Sequence, residues 1–183
     1  LITITNSEDG KKFFLGFAHV INAMRKCPKI IICRVHGKAI GGGVGIAAAA
    51  DYCMATNYGT IKLSELALGI GPFVIGPAVE RKIGLSAFSQ LALNATEWQT
   101  AIWAKEKGLY HEVFDSIEQL DAYVDELSQR LAATSSSALL ALKQALWHDT
   151  QHWDQLLEER AGISGRLVIT EASQKAIRES KIV

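Results

Sequence analysis

Two stretches of this sequence hold residue types that could do chemistry. The first is residues 35–51, VHGKAIGGGVGIAAAAD, where Gly41, Gly42, Gly43 and Gly45 open an alanine-rich run just after the apolar segment 30–35. Glycine loses more conformational freedom on folding than any other residue, so a cluster of four asks for a backbone reason. At the start of a helix, glycines let a ligand approach free N–H groups that point outward with the positive end of the helix dipole behind them. Such donors suit a carbonyl oxygen that gains negative charge during reaction, and one well-placed donor is worth roughly 2.7–4 kcal/mol in the transition state. The second stretch is residues 62–71, KLSELALGIG, where Glu65 is a lone carboxylate among apolar neighbours. Burial there would raise its pKa towards the range of a general acid or base. Taken alone, it reads more readily as a solvated loop glutamate.

Other chemistries fit less well. No Lys-Ser or Lys-Thr follows the glycines, so a phosphate-binding P-loop is absent. The run from Gly43 to Ala48 fits G-x-G-x-x-A, and Glu65 lies twenty residues past Gly45. Gly43, however, falls eight residues after Val35, whereas a dinucleotide-binding turn follows its strand almost at once. A third possibility is that the glycines only let a helix pack closely on a strand. His148 and His152 are four residues apart, but Asp149 stands where a zinc helix carries Glu and no third ligand is evident. No metal is expected. Trp98, Trp103, Trp147 and Trp153 read as packing or subunit-interface residues, and the cysteines as core fillers.

These residues must be positioned by surrounding elements. Residues 13–24 carry apolar side chains at helical spacing, and Pro28 ends that helix. Residues 30–35 read as a buried strand, 51–56 as a second and 60–63 as a short third. Helical composition then dominates at 78–94, 97–107, 117–133, 136–148 and 152–180, with a strand-like break at 111–114. Thr96-Glu97 and Ser137 are expected N-caps, and Gly84 and Gly108 expected stops. Alternating strands and helices give an α/β class with a helical second half.

Bulk properties narrow the partners. The 183 residues carry 49% hydrophobic and 21% charged side chains, with nineteen basic residues matched by nineteen acidic ones. That balance argues against nucleic acid or an anionic membrane surface as partner. Cys27, Cys33 and Cys53 form no C-x-x-C pair, which suits a reduced interior, and a cytoplasmic location is expected. No apolar stretch reaches the roughly 18 residues of a membrane span.

Taken together these motifs resemble the crotonase (enoyl-CoA hydratase/isomerase) superfamily. Its N-G-x-A-x-G-G-G pattern is met by residues 36–43, HGKAIGGG, followed by the alanine-rich run and Asp51. Its catalytic-glutamate segment is met by Leu63-Ser64-Glu65 with Leu68-Gly69, and its A-x-x-x-G-L motif by residues 104–109. The resemblance implies a crotonase-type spiral of ββα turns over residues 1–95 and a C-terminal α-helical trimerisation region over 96–183. It also implies homotrimers or dimers of trimers, acyl-CoA thioester substrates, and no cofactor beyond the CoA that the substrate carries. By position Gly42 supplies an oxyanion N–H and Glu65 moves the proton, while Gly41, Gly43, Gly45, Ile40, Pro72 and Phe73 contact substrate.

Three departures follow from the same resemblance. The family's other oxyanion donor belongs to an A-G-x-D-L segment that would precede residue 1, so a longer native polypeptide is expected. Two-glutamate hydratases carry their first glutamate where Gly45 stands. The F-x-E-K-R-x-P motif is missing after Ala172, so residues 175–183 are expected to contact CoA differently or not at all. Residues 63–77 resemble a bacterial hydratase branch acting on branched-chain and methylglutaconyl-CoA, in which Arg81 and Lys82 would be the nearest cations for a distal carboxylate. Hydration of such an enoyl-CoA leads narrowly over single-glutamate isomerisation, decarboxylation, or silent acyl-CoA binding.

Overall fold

A computed structural model describes residues 1–180; the last three residues of the tail considered above for CoA contact lie outside the described residues. The first element, α1 (Ser7–Lys26), is capped by Asn6, whose side chain accepts from the Asp9 N–H at 2.9 Å. Acidic Glu8 and Asp9 sit in its first turn and basic Arg25 and Lys26 in its last, both favourable to the helix dipole. Its buried stripe is Gly10, Phe14, Ala18 and Ile21. The helix ends at Cys27, just before Pro28, as a proline requires.

Two parallel sheets follow. Strand β1 (Ile32–Val35) pairs with β3 (Tyr52–Thr56), which pairs with β5 (Glu112–Phe114). Two shorter strands, β2 (Ala39–Ile40) and β4 (Ile61–Lys62), pair in parallel with Ile40 opposite Lys62. Strand β2 is too short to show an alternating pattern, and it is absent from the sequence expectation. Between β2 and β3 runs α2 (Gly42–Ala49), whose Val44, Gly45, Ala47, Ala48 and Ala49 are all buried. Small residues are needed there because α1, α3 and β1 all pack on this one short helix.

The helical half contains α3 (Gly76–Leu93), α4 (Ala101–Glu106), α5 (Ile117–Ala132), α6 (Ser136–Leu146), α7 (Trp153–Val168) and α8 (Glu171–Glu179). Several expected boundaries shift for physical reasons. Thr100, not Thr96, caps α4, because Gln99 is held extended by reciprocal 2.9 Å hydrogen bonds with Ile61. Ser135 replaces Ser137 as the cap of α6, its hydroxyl accepting from the Ala138 N–H. Gly84, at φ 76°, kinks α3 without ending it. The long helix expected over 152–180 is broken at Thr170, whose side chain caps α8.

This half folds back on the first. A Cβ at Gly10 would lie 2.8 Å from the Gly165 carbonyl oxygen, so α1 and α7 touch backbone to backbone. A second anchor is the buried pair of Asp51 and Lys143, whose side chains are 2% and 3% exposed and whose charged atoms are 2.6 Å apart. Asp51 also accepts from the Trp147 Nε1–H at 2.7 Å and the Ile31 N–H at 2.8 Å, while Lys143 donates to the Met24 carbonyl at 2.9 Å. One carboxylate thereby ties α6 to the start of β1 and, through Lys143, to the end of α1. Among the described residues no helix is long and apolar enough to cross a membrane.

Candidate active site

Because β2 and β4 are parallel neighbours, the residues that follow them emerge at the same end. Gly41 follows β2 and donates its N–H to the Lys62 carbonyl at 2.9 Å, extending the ladder by one bond. Glu65 follows β4 after Leu63 and Ser64, both buried. The carboxyl ends of parallel strands are where α/β folds commonly bind ligands.

Gly41 turns the chain from β2 into α2 at φ 52° and ψ −116°, a conformation that side-chain-bearing residues rarely adopt. The first intrahelical bonds are made by Val44 and Gly45, both to the Gly41 carbonyl, at 2.9 and 3.2 Å. The N–H groups of Gly42 and Gly43 have no acceptor among the described residues. They are the free donors expected of a helix start.

Glu65 begins a 3₁₀ turn over Leu66–Leu68, and its carbonyl accepts from the N–H groups of Leu68 at 3.1 Å and Ile70 at 3.0 Å. Gly69, at φ 73°, closes that turn, and its carbonyl is held by the Ser173 hydroxyl from α8 at 3.0 Å. The side chain turns inwards: Oε1 lies 2.7 Å from where a Gly41 Cβ would stand, and Oε2 is buried without a hydrogen-bond partner. Burial pushes the Glu65 carboxyl up to about 7, against a weaker opposite pull from its own backbone N–H. A carboxyl held near neutrality can both take and return a proton.

A cavity of about 40 Å³ opens beside it, lined by Phe14, Phe17, Gly42, Glu65, Gly71, Pro72, Phe73, Val74, Ile75 and Ser164. Of the sequence-derived candidates, Gly42, Glu65, Pro72 and Phe73 meet in this lining, and Gly41 backs the carboxylate. Gly43 lies on the first turn of α2 and does not line the cavity. Ile40 does not line it either, because it is engaged in the β2–β4 ladder. Gly45 is shut off from it: a Cβ there would lie 2.6 Å from Ile75 Cβ, so Ile75 fills the space a side chain at 45 would need.

Arg81 and Lys82 are occupied elsewhere. Arg81 donates to the Leu146 carbonyl and lies 4.2 Å from the Trp147 ring centre, while Lys82 donates to the Asp51 carbonyl at 3.3 Å. Trp98 carries the ammonium groups of Lys38 and Lys62 over its ring, at 5.0 and 4.7 Å. His148 pairs with Asp149 at 2.9 Å, and no cluster that could hold a metal ion occurs among the described residues. The sequence reading missed Phe14, Phe17 and Ser164. The available signal for Ser164 was a hydroxyl on the otherwise apolar stripe Leu157, Ala161 and Val168 of α7.

Comparisons with known proteins give the fold and the family. A Mycobacterium avium enoyl-CoA hydratase of known structure superposes with a TM-score of 0.83 at 22% identity, covering 94% of this chain and 67% of that one. A peroxisomal Delta(3,5)-Delta(2,4)-dienoyl-CoA isomerase of Arabidopsis thaliana is 30% identical over 77% of this chain and 51% of its own length. A trans-2-decenoyl-[acyl-carrier-protein] isomerase of Streptococcus mutans is 25% identical over 93% of this chain and 66% of its own. The 2,3-dehydroadipyl-CoA hydratase of Escherichia coli is 36% identical over 64% and 46%. The chain thus spans about half the length of the Arabidopsis and Escherichia relatives. The enoyl-CoA hydratase/isomerase family profile matches residues 4–182, nearly the whole chain, and the chain belongs to that family.

Proposed function

We propose that this protein acts on enoyl-CoA thioesters as a single-carboxylate proton-transfer enzyme, moving the double bond between the α,β and β,γ positions. The free N–H of Gly42 polarises the thioester carbonyl and holds the enolate oxygen. Glu65 removes a proton at one carbon and returns it at the other, starting and ending ionised. The observation that carries this reading is the lone carboxylate: Glu65 is the one acid lining the cavity, and Ile75 occupies the space above Gly45. A site with one base near neutrality suits proton shuttling more directly than clamping a water between two carboxylates.

Hydration of a methylglutaconyl-type substrate has less support. Its distal carboxylate would need a cation, and Arg81 is committed to the Leu146 carbonyl and Lys82 to the Asp51 carbonyl. Assembly as a homotrimer or dimer of trimers remains part of the proposal, as the resemblance implies.

The test incubates the protein with 2-enoyl- and 3-enoyl-CoA thioesters in heavy water and reads the products by mass spectrometry. Double-bond migration with deuterium uptake is expected from the wild type. Glu65→Gln should lower the rate by roughly 10²–10⁴-fold with CoA-thioester binding nearly intact. An unchanged rate in that variant sinks the assignment of Glu65, and loss of carbon dioxide from a carboxylated substrate would mean a decarboxylase instead.

A further inference from the structure

Cys33 and Cys53 stand opposite each other, since β1 pairs with β3 in parallel with these two residues in register. Register partners point to the same face of a sheet, here the face where Val35 and Ala55 join them against the hydrophobic core. Neighbouring strands run roughly 4.7–4.9 Å apart, inside the roughly 4.4–6.8 Å that separates the Cα atoms of a disulfide. Both thiols are free, as is that of Cys27. They differ in reach. Cys53 is fully buried on the central strand of its sheet, and Cys33 is half-buried on the edge strand. A hydrogen bond from the Cys53 thiol draws the Cys33 pKa below the ordinary thiol value, while that bond first and burial second push Cys53 up. A cation lies close by: the Lys82 ammonium donates to the Asp51 carbonyl at 3.3 Å, two residues before Cys53. Reactive cysteines sit in such partly exposed, electropositive places.

We infer that Cys33 and Cys53 form a modification site, at which a peroxide closes a reversible disulfide between β1 and β3 in the folded protein. The Cys33 thiolate attacks one peroxide oxygen; the O–O bond breaks, hydroxide leaves, and Cys33 carries a sulfenic acid. The Cys53 sulfur then attacks the Cys33 sulfur, forming the S–S bond as the S–O bond breaks and a second hydroxide leaves. The two thiol protons turn both hydroxides into water, so one peroxide is reduced and two thiols are oxidised. Cys33 is the residue that meets the oxidant, and Cys53 is the one that resolves it. The disulfide closes residues 33–53 into a ring that holds β2, the Gly41 turn and α2. Oxidation thereby tethers, at both ends, the segment that presents the free N–H of Gly42.

The experiment exposes folded wild-type protein to hydrogen peroxide, follows intact mass and circular dichroism, and maps peptides under non-reducing conditions. The expected product is lighter by two hydrogen atoms, links the Cys33 and Cys53 peptides, keeps its circular dichroism, and reverts with dithiothreitol. Cys27→Ser should form the same link. Cys33→Ser should form none, and Cys53→Ala should stop at a Cys33 sulfenic acid that dimedone traps. Cys53 lies in the core, so Cys33→Ser, at a half-buried edge position, carries the test if Cys53→Ala does not fold. A link through Cys27, or one that appears only in urea, overturns the pair. So does folded wild type whose thiols all survive peroxide, or whose Cys33 gains oxygen with no cross-link.

Discussion

Asp51 and Glu65 are both carboxylates withdrawn from water, and they differ in their company. Asp51 has three donors within 2.8 Å, one of them the Lys143 ammonium. Glu65 Oε2 has none, and its pKa is raised by burial alone. A buried ion whose lone pairs are filled is a fixed point of the fold; a buried carboxyl that lacks partners is held ready for one that arrives. The first sits where three elements need tying together. The second sits where two parallel strands end and a helix begins.

The largest effect expected from this contrast is on stability. Lys143→Met should destabilise the protein by about 3–5 kcal/mol, because it leaves Asp51 buried without its counter-ion. Chemical denaturation would measure it, with the turnover of the remaining folded protein preserved. Glu65→Gln should not cost stability at neutral pH, since no partner is lost and a buried charge is removed. Equal destabilisation by the two substitutions would break the contrast.

A pH series sharpens it. Unfolded, Glu65 titrates near 4.5; folded, near 7. Between those values the native state keeps a proton that the unfolded chain has lost. Stability therefore falls as pH rises across that window, by up to about 1.4 kcal/mol per pH unit, and levels off above 7. Below 4.5 both states are protonated and the contribution vanishes. Glu65→Gln should remove this slope, so the variant gains on the wild type by roughly 3 kcal/mol between pH 4.5 and 7. Denaturation midpoints of both proteins at several pH values would show it. A constant difference across the window would mean that the Glu65 carboxyl is not held near neutrality.

The sequence made some of this visible and hid the rest for identifiable reasons. The glycine run and Glu65 stand out because their signals are local: residue type, apolar neighbours and the start of a helix. What brings them together is not local. The β2–β4 pairing involves strands of two residues, too short for any periodicity, and the start of α4 at Thr100 follows from a bridge to Ile61 far away in the chain. Lys143 looks like a surface lysine on α6, and only the fold carries it to Asp51. Ser164 lies on a helix remote in sequence from Glu65, and a single serine on an apolar stripe has no motif to announce it. The resemblance could place Gly45 opposite the first glutamate of hydratases, but it could not show that Ile75 had taken up the space.

The smallest of these effects falls at the residue where fold and chemistry meet. Gly41 holds a positive φ and lies against Glu65 Oε1. Gly41→Ala has two consequences that can be separated. The strained backbone should cost about 1–3 kcal/mol of stability, less than Lys143→Met. The new methyl would also press on the carboxylate, and this part should appear as a loss of turnover in protein that is still folded. Lys143→Met should lower stability and spare turnover, and Glu65→Gln should do the reverse. Gly41→Ala alone should lower both, because its φ belongs to the backbone that starts α2 and its missing side chain belongs to the space Glu65 occupies. Full turnover in folded Gly41→Ala protein would mean that the carboxylate can move aside without loss, and that its position against Gly41 is not what makes it reactive.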